Sequence, residues 1–367
     1  MLHTSVINIK ARRPNFITVS PGYTFTIALD EFSYAWAWGE NNYGQLGIGT
    51  TRNISYPISV IGNRQWRAIA SGVAYVCAID SNSYAWGWGY NGDGCLGDNT
   101  ATTRSSPVSV VGDIQWKALF SGPSAYATYA LDSNSYAWAW GNNQYGQLGI
   151  NSNSNYRSSP VSVVNGYQWA KLSAGAFHTL GMTKSSSIFA WGRNFNGQLG
   201  DGTQNNRSTP GIAPSGMGTV TDIAAGNDHS AAIKNGYIYC WGINSTGQLG
   251  NNDTADYSLP SQIFSPSPII KIAASRDSTL AVDSSSRVWG WGDNAALVEN
   301  MAQSSPVLVF RGYTAETIIC GGYHVVANRK YFWGYNQVGQ LGDGTINTPT
   351  KNVVVKSTGP AIIYGAK

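Results

Sequence analysis

Trp38-Gly39-Glu40-Asn41-Asn42-Tyr43-Gly44-Gln45-Leu46-Gly47 is written again and again along the chain at nearly constant spacing. Copies begin at Trp88, Trp140, Trp191, Trp241, Trp291 and Trp333, so successive tryptophans lie 50, 52, 51, 50, 50 and 42 residues apart. Gly-Gln-Leu-Gly returns at 146–149, 197–200, 247–250 and 339–342, Cys95 replaces the glutamine in the second unit, and the sixth loses the ending. A sustained period of this length means units that share a continuous core, so residues 1–367 are expected to form one repeat domain. Two or three unrelated domains would be the ordinary expectation for 367 residues.

Each unit divides into four short β-candidates, seen most plainly as Pro57 to Val60, Trp66 to Gly72, Tyr75 to Asp80 and Tyr84 to Gly89. The turn signal Asp80-Ser81-Asn82-Ser83 recurs at Asp132 to Ser135 and Asp283 to Ser286, as antiparallel hairpins require. In Tyr34-Ala35-Trp36-Ala37-Trp38-Gly39 a period of two sends Tyr34, Trp36 and Trp38 to one face and small residues to the other. Sheets stacked face to face around an axis want this asymmetry, because the bulky face of one fills the shallow face of the next. The fold class is therefore all-β. All 14 tryptophans fall in repeat-specific slots, which assigns them to the core.

Composition narrows the function classes. Charged residues are 11% of the chain against roughly a quarter in average globular proteins, so the surface should be polar and mostly uncharged. The net charge of +4 is thinly spread and its one concentration, Lys10, Arg12 and Arg13, is too short for a nucleic-acid arm. No signal peptide is recognised after Met1, and no stretch approaches the ~20 apolar residues of a membrane helix. A virion, extracellular or cytoplasmic location is compatible with this. Cys77, Cys95, Cys240 and Cys320 occupy unrelated slots, which points to buried free thiols and not to zinc or a disulfide framework.

Trp-Gly-x-Asn-x-x-Gly-Gln-Leu-Gly near period 50, with Ala174-Gly175-Ala176-Phe177-His178-Thr179 and Ala225-Gly226-Asn227-Asp228-His229-Ser230 upstream, resembles the regulator of chromosome condensation (RCC1) repeat family. The resemblance covers nearly the whole chain. It implies a seven-bladed β-propeller of four-stranded antiparallel blades. The family's founder is an exchange factor for a small GTPase that docks on chromatin and uses a protruding hairpin wedge, and another member inhibits β-lactamases. The largest insertion here is two residues near Pro123, so a wedge of that kind is not expected. Strand-like segments Ser5 to Lys10 and Ala361 to Tyr364 are left over at the ends, and one of them is expected to close the ring.

No constellation of catalytic type is present, and the chain is read as a non-enzyme without cofactor or metal. His178, His229 and His324 share a slot that holds Phe25 and Tyr75 elsewhere, which makes them packed, hydrogen-bonded imidazoles. Asp98, Asp201, Asp253 and Asp343 follow the motif as turn residues without the carboxylate spacing of a calcium loop. Asn41, Asn91, Asn143, Asn194, Asn244, Asn294 and Asn336 cap the motif turn.

The expectation is a non-catalytic binding or structural module that recognises a protein or glycan through loops. An attachment role on a phage or bacterial surface is suggested by the low charge, and a regulator of a small GTPase or an inhibitor of another enzyme is the alternative. Repeat irregularities and loops rich in Tyr, Ser and Asn supply the candidate surface. Its residues are Asp293, Leu297 and Glu299 in unit six, Pro123 and Ser124 at the insertion, and Tyr145, Tyr156, Asn205 and Arg207 in loops.

Overall fold

A computed structural model describes residues 14–212, 217–265, 267–293, 302–309, 314–347 and 355–356. Blade 1 is a four-stranded antiparallel sheet of β1 (Phe16–Pro21), β2 (Phe25–Asp30), β3 (Ala35–Gly39) and β4 (Ile54–Ser59), hydrogen-bonded in that order. Six further sheets of the same order follow at 66–109, 116–162, 169–212, 222–263, 269–308 and 318–356. First strands pack on first strands from blade to blade, and that of blade 7, Ile318–Cys320, packs on β1, so the seven sheets form a closed ring.

The Asp-Ser-Asn-Ser turn shapes every long hairpin in which it occurs. In blade 2 the amides of Asn82 and Tyr84 donate to Asp80 Oδ1, the Trp86 indole donates to Oδ2, and Ser83 takes φ +70°. One carboxylate thus builds the turn and orients the tryptophan two slots beyond it.

The expected asymmetry of the third strands is the source of the core. Trp38 packs with Trp36, Val326 and Phe332 on the side of blade 7. Ala35 and Ala37, on the other side, receive Trp66 and Trp88 of blade 2. Eleven of the tryptophans are buried, while Trp86, Trp138 and Trp289 are only half-buried at the rim, so their slot is not wholly core.

Among the described residues five seams carry a latch made by the Gly-Gln-Leu-Gly turn or its Cys95 variant, while at the seam of blades 5 and 6 the buried Trp291 indole N–H has no partner. The indole Nε1 of Trp88 donates to the Gln45 carbonyl at 3.0 Å, Trp140 to Cys95 at 2.8 Å, Trp191 to Gln147 at 2.7 Å and Trp241 to Gln198 at 2.9 Å. Trp38 donates to Gln340 at 2.9 Å, so blades 7 and 1 are joined by the same bond. The segments 5–10 and 361–364, expected to close the ring, lie outside the described residues. Each described sheet is built from four consecutive strands.

Glycine is required in that turn for two reasons. Gly44 and Gly47 have φ of +76° and +67°, and a Cβ on them would sit 2.5 Å from Ser105 Cα and 2.7 Å from Trp88 Nε1. The neighbouring blade occupies the space a side chain would need. The motif asparagine caps the turn as expected: Asn41 Oδ1 accepts from Leu46 N, and its Nδ2 donates to the Thr50 and Arg52 carbonyls. Asn91, Asn143, Asn194, Asn244 and Asn336 accept from the corresponding leucine amides.

Candidate interaction surface

The turns between first and second strands and the loops between third and fourth strands share one face of the ring. Glu40 N donates to the Thr24 carbonyl, Asn142 to Tyr126, Arg193 to Phe177, Asp293 to Asp277 and Tyr335 to Tyr323. The Asp-Ser-Asn-Ser hairpins point to the opposite face, where Trp66 N donates to Ser33 O and Trp116 N to Ser83 O.

On the first face the repeat stops repeating. The residue after Trp-Gly is Glu40, Tyr90, Asn142, Arg193, Ile243, Asp293 or Tyr335, and the turn before the second strand varies as freely. These side chains assemble into an aromatic belt. Tyr126 stacks on Phe177 with centroids 5.5 Å apart, Tyr145 meets both Phe177 and Phe195 edge to face, and Tyr43 meets Tyr90 at 5.3 Å. Tyr23 meets Tyr323 at 5.0 Å, and Tyr323 meets Tyr335.

Two arginines are set into the belt. The Arg193 guanidinium lies over Phe195 and Tyr145 at 5.2 and 5.7 Å and bonds Asp228 at 3.2 Å. Arg276 bonds Asp277 at 3.0 Å, lies over Tyr323 at 5.4 Å and donates to its hydroxyl. Burial raises the Asp228 carboxyl pKa, against the lowering effect of Arg193 and of donors Gln198 and Asn227. Burial likewise raises Asp277, with Arg276 opposing it. Each arginine is therefore a fixed cation with part of its surface exposed, held in an aromatic setting.

The residues named from sequence are not gathered in one place. Tyr145 stands in the belt. Asp293 lies at its edge, half-buried, with its carbonyl accepting from the Ser278 hydroxyl. The insertion at Pro123 and Ser124 turns inward: Ser124 is buried, Ala125 is fully buried, and the Ala125 carbonyl accepts from Val73 N. Tyr156 is exposed on the outermost strand of blade 3, and Asn205 is exposed in the rim loop of blade 4. Arg207 is tied to Asp201 at 2.9 Å beside it. Leu297 and Glu299 lie outside the described residues. Missed altogether were Arg193, Arg276, Asp228 and the aromatics around them. Their signal was available as positions that vary inside a turn whose flanks do not.

The histidines belong to the seams. Nε2 of His178 lies 2.9 Å from Ser230 Oγ, that of His229 3.0 Å from Thr279 Oγ1, and that of His324 2.8 Å from Thr26 Oγ1. Each hydroxyl donates its single proton to the carbonyl of Gln198, Gln248 or Gln340. It must then accept from the ring, so Nε2 carries the proton, and a second proton on the buried Nδ1 would have no acceptor. Burial lowers the three pKa values to about 3, 4 and 3 for His178, His229 and His324. All four cysteines are free and buried. Among the described residues no group of three or more His, Cys, Asp or Glu could hold a metal, and no helix is long and apolar enough to cross a membrane.

Known proteins match this architecture. The RCC1-like domain family matches residues 3–267, and the RCC1 repeat matches 269–296. The probable E3 ubiquitin-protein ligase HERC4 of Homo sapiens is 37% identical over 97 residues, covering 26% of this chain and 9% of that protein. The chain spans about half or less of the curated relatives it matches. The crystal structure of human WBSCR16 superposes with a TM-score of 0.76 at 19% identity, covering 86% of this chain and 87% of that one. Yeast RCC1 (Prp20), in its crystal structure with Kap60, gives a TM-score of 0.72 at 20% identity over 84% and 78%.

Proposed function

This chain belongs to the RCC1-like domain family, and from that premise we propose that it is a non-catalytic module that binds a protein partner through the aromatic belt. The observation that carries the reading is the pair Arg193 and Arg276, each immobilised by a carboxylate and flanked by aromatic rings on one face. Tyrosine and arginine are the residues on which binding energy concentrates, and side chains already held in place lose little freedom on association. Yeast RCC1, whose structure was determined bound to Kap60, is a relative of like fold that engages another protein.

Acidic side chains on the partner suit the two cations, since Asp228 and Asp277 each offset one but leave part of it exposed. Regulation of a small GTPase or of another enzyme is the narrower form of this reading. The surface-attachment role suggested by the low charge has no counterpart among these relatives and is not part of the proposal.

Hydrogen exchange of the complex with the native partner tests the placement. Slowed exchange is expected at 22–24, 121–126, 175–177, 226–228, 275–277 and 321–323, with none at the opposite hairpins 81–83 and 133–135. Protection confined to the opposite hairpins would overturn it.

A further inference from the structure

The repeat provides its own controls for the grooves between neighbouring blades at the rim. In three of these grooves the residue two before the start of the blade's first strand is Arg64, between blades 1 and 2, Tyr167, between blades 3 and 4, and Ser267, between blades 5 and 6. Arg64 lies flat over Trp86 with its guanidinium 3.6 Å from the ring centroid. Tyr167 packs on Phe189 with centroids 4.4 Å apart. Ser267 is too short to cover the equivalent ring, Trp289, and instead accepts from Arg287, which approaches that ring only to 5.4 Å. A cavity of about 620 Å³ remains, between Tyr257, Ser261, Gln262 and Phe264 of blade 5 and Trp289 and Pro306 of blade 6.

The walls specify the chemistry of an occupant. Residues 98 and 104 in blade 2, and 201 and 207 in blade 4, are Asp–Arg ion pairs. The corresponding positions in blade 5 are Asn251 and Tyr257, so the charged pair has become neutral. Among the described residues no lysine, arginine, aspartate or glutamate lines the cavity. Phe264 is 82% exposed at its mouth, Trp289 is half-buried, and Ile238, Ile269 and Trp291 lie behind them. The polar side chains are amides and hydroxyls, and Gln262 has its Oε1 engaged by the Tyr239 hydroxyl at 3.0 Å, which leaves its Nε2 as a donor. The charges that border it are already engaged, Arg287 with Asp283 and Asp253 with the Tyr257 hydroxyl. A molecule with a C–H-rich face and a hydroxyl-rich edge fits both the electron-rich aromatic faces and the amides.

We propose that the rim cavity between blades 5 and 6 binds a neutral sugar residue, stacked on Phe264 and Trp289 and hydrogen-bonded by Gln262 and Asn252. This site is separate from the belt, and its test does not depend on a protein partner. The experiment is titration of the full chain with neutral oligosaccharides ending in glucose, mannose, galactose or N-acetylglucosamine, followed by calorimetry and by the indole N–H signal of Trp289. At least one should bind and move that signal. Phe264→Ser and Gln262→Ala should each weaken it tenfold or more, and Phe264→Tyr should restore binding. Both positions are exposed, so loss of fold does not confuse the result, and melting temperature checks this. Phe195→Ser, in the belt, should bind sugar normally. Absence of binding by any of these sugars, binding indifferent to Phe264 and Gln262, or a Trp289 signal moved only by a proline-rich peptide would each overturn the proposal.

Discussion

Within a few residues of every unit, two regions of the molecule obey opposite rules. Trp191 and Asn194 stand where Trp38 and Asn41 stand in unit one, yet Arg193 between them replaces Glu40. The first two side chains face slots of the same repeat, because Trp191 donates to the turn of blade 3 and Asn194 caps its own turn. Arg193 faces outward, against Asp228 and the aromatic belt. A slot whose partner is another repeat slot is held to one chemistry around the ring, since a change there needs a matching change next door. Side chains that meet no repeat partner are free to differ, and it is to that difference that the proposed function assigns recognition.

The comparison can be broken most forcefully at a seam. Trp140→Ala removes a fully buried indole and its bond to the Cys95 carbonyl, and should cost about 3–5 kcal/mol in denaturant unfolding. A loss under about 1 kcal/mol would mean the seam is not built by packing.

The seam histidines add a pH dependence of defined sign. Their folded pKa values are depressed, so their contribution is complete above the unfolded pKa near 6.5 and is lost as pH falls below it toward 3 to 4. At pH 5 each should have cost about 2 kcal/mol relative to neutral pH. His178→Phe, which installs the residue that blade 1 carries at position 25, should flatten the stability-against-pH slope between pH 5 and 6 by about one proton. An unchanged slope would show that the ring is not held neutral.

A smaller effect is expected at the rim. Arg64→Ala uncovers Trp86 and removes the ion pair to Asp80, which keeps its bonds to Asn82, Tyr84 and Trp86, so the cost should be about 0.5–1 kcal/mol. A larger loss would extend the seam logic to the outer surface.

The seams were legible in the sequence because each of their slots is stated many times over: tryptophan as core, glycine as a turn with positive φ, asparagine as cap, histidine as a packed ring. The rim tryptophans were over-assigned to the core: Trp36 is buried in that slot, but Trp86 stays half-buried even beneath Arg64, as do Trp138 and Trp289. The insertion at Pro123 and Ser124 lies in the turn before the second strand of blade 3, with Pro123 half-buried, Ser124 buried and the Ala125 carbonyl accepting from Val73 N of the preceding blade. The belt was illegible for a different reason. Arg193 and Asp228 are 35 residues apart and lie on different blades, and no repetition announces their meeting. Only Tyr145 of the residues named in advance falls within it.

Charge reversal tests the division between seams and face most directly. The double variant Arg193→Glu with Arg276→Glu should remain folded, with a melting temperature lowered by the repulsion of Asp228 and Asp277, and lose native-partner binding by tenfold or more, whereas Tyr84→Ser with Tyr136→Ser, on the opposite face, should retain it. Full binding by the first pair, or loss with the second alone, would contradict the assignment of recognition to the belt.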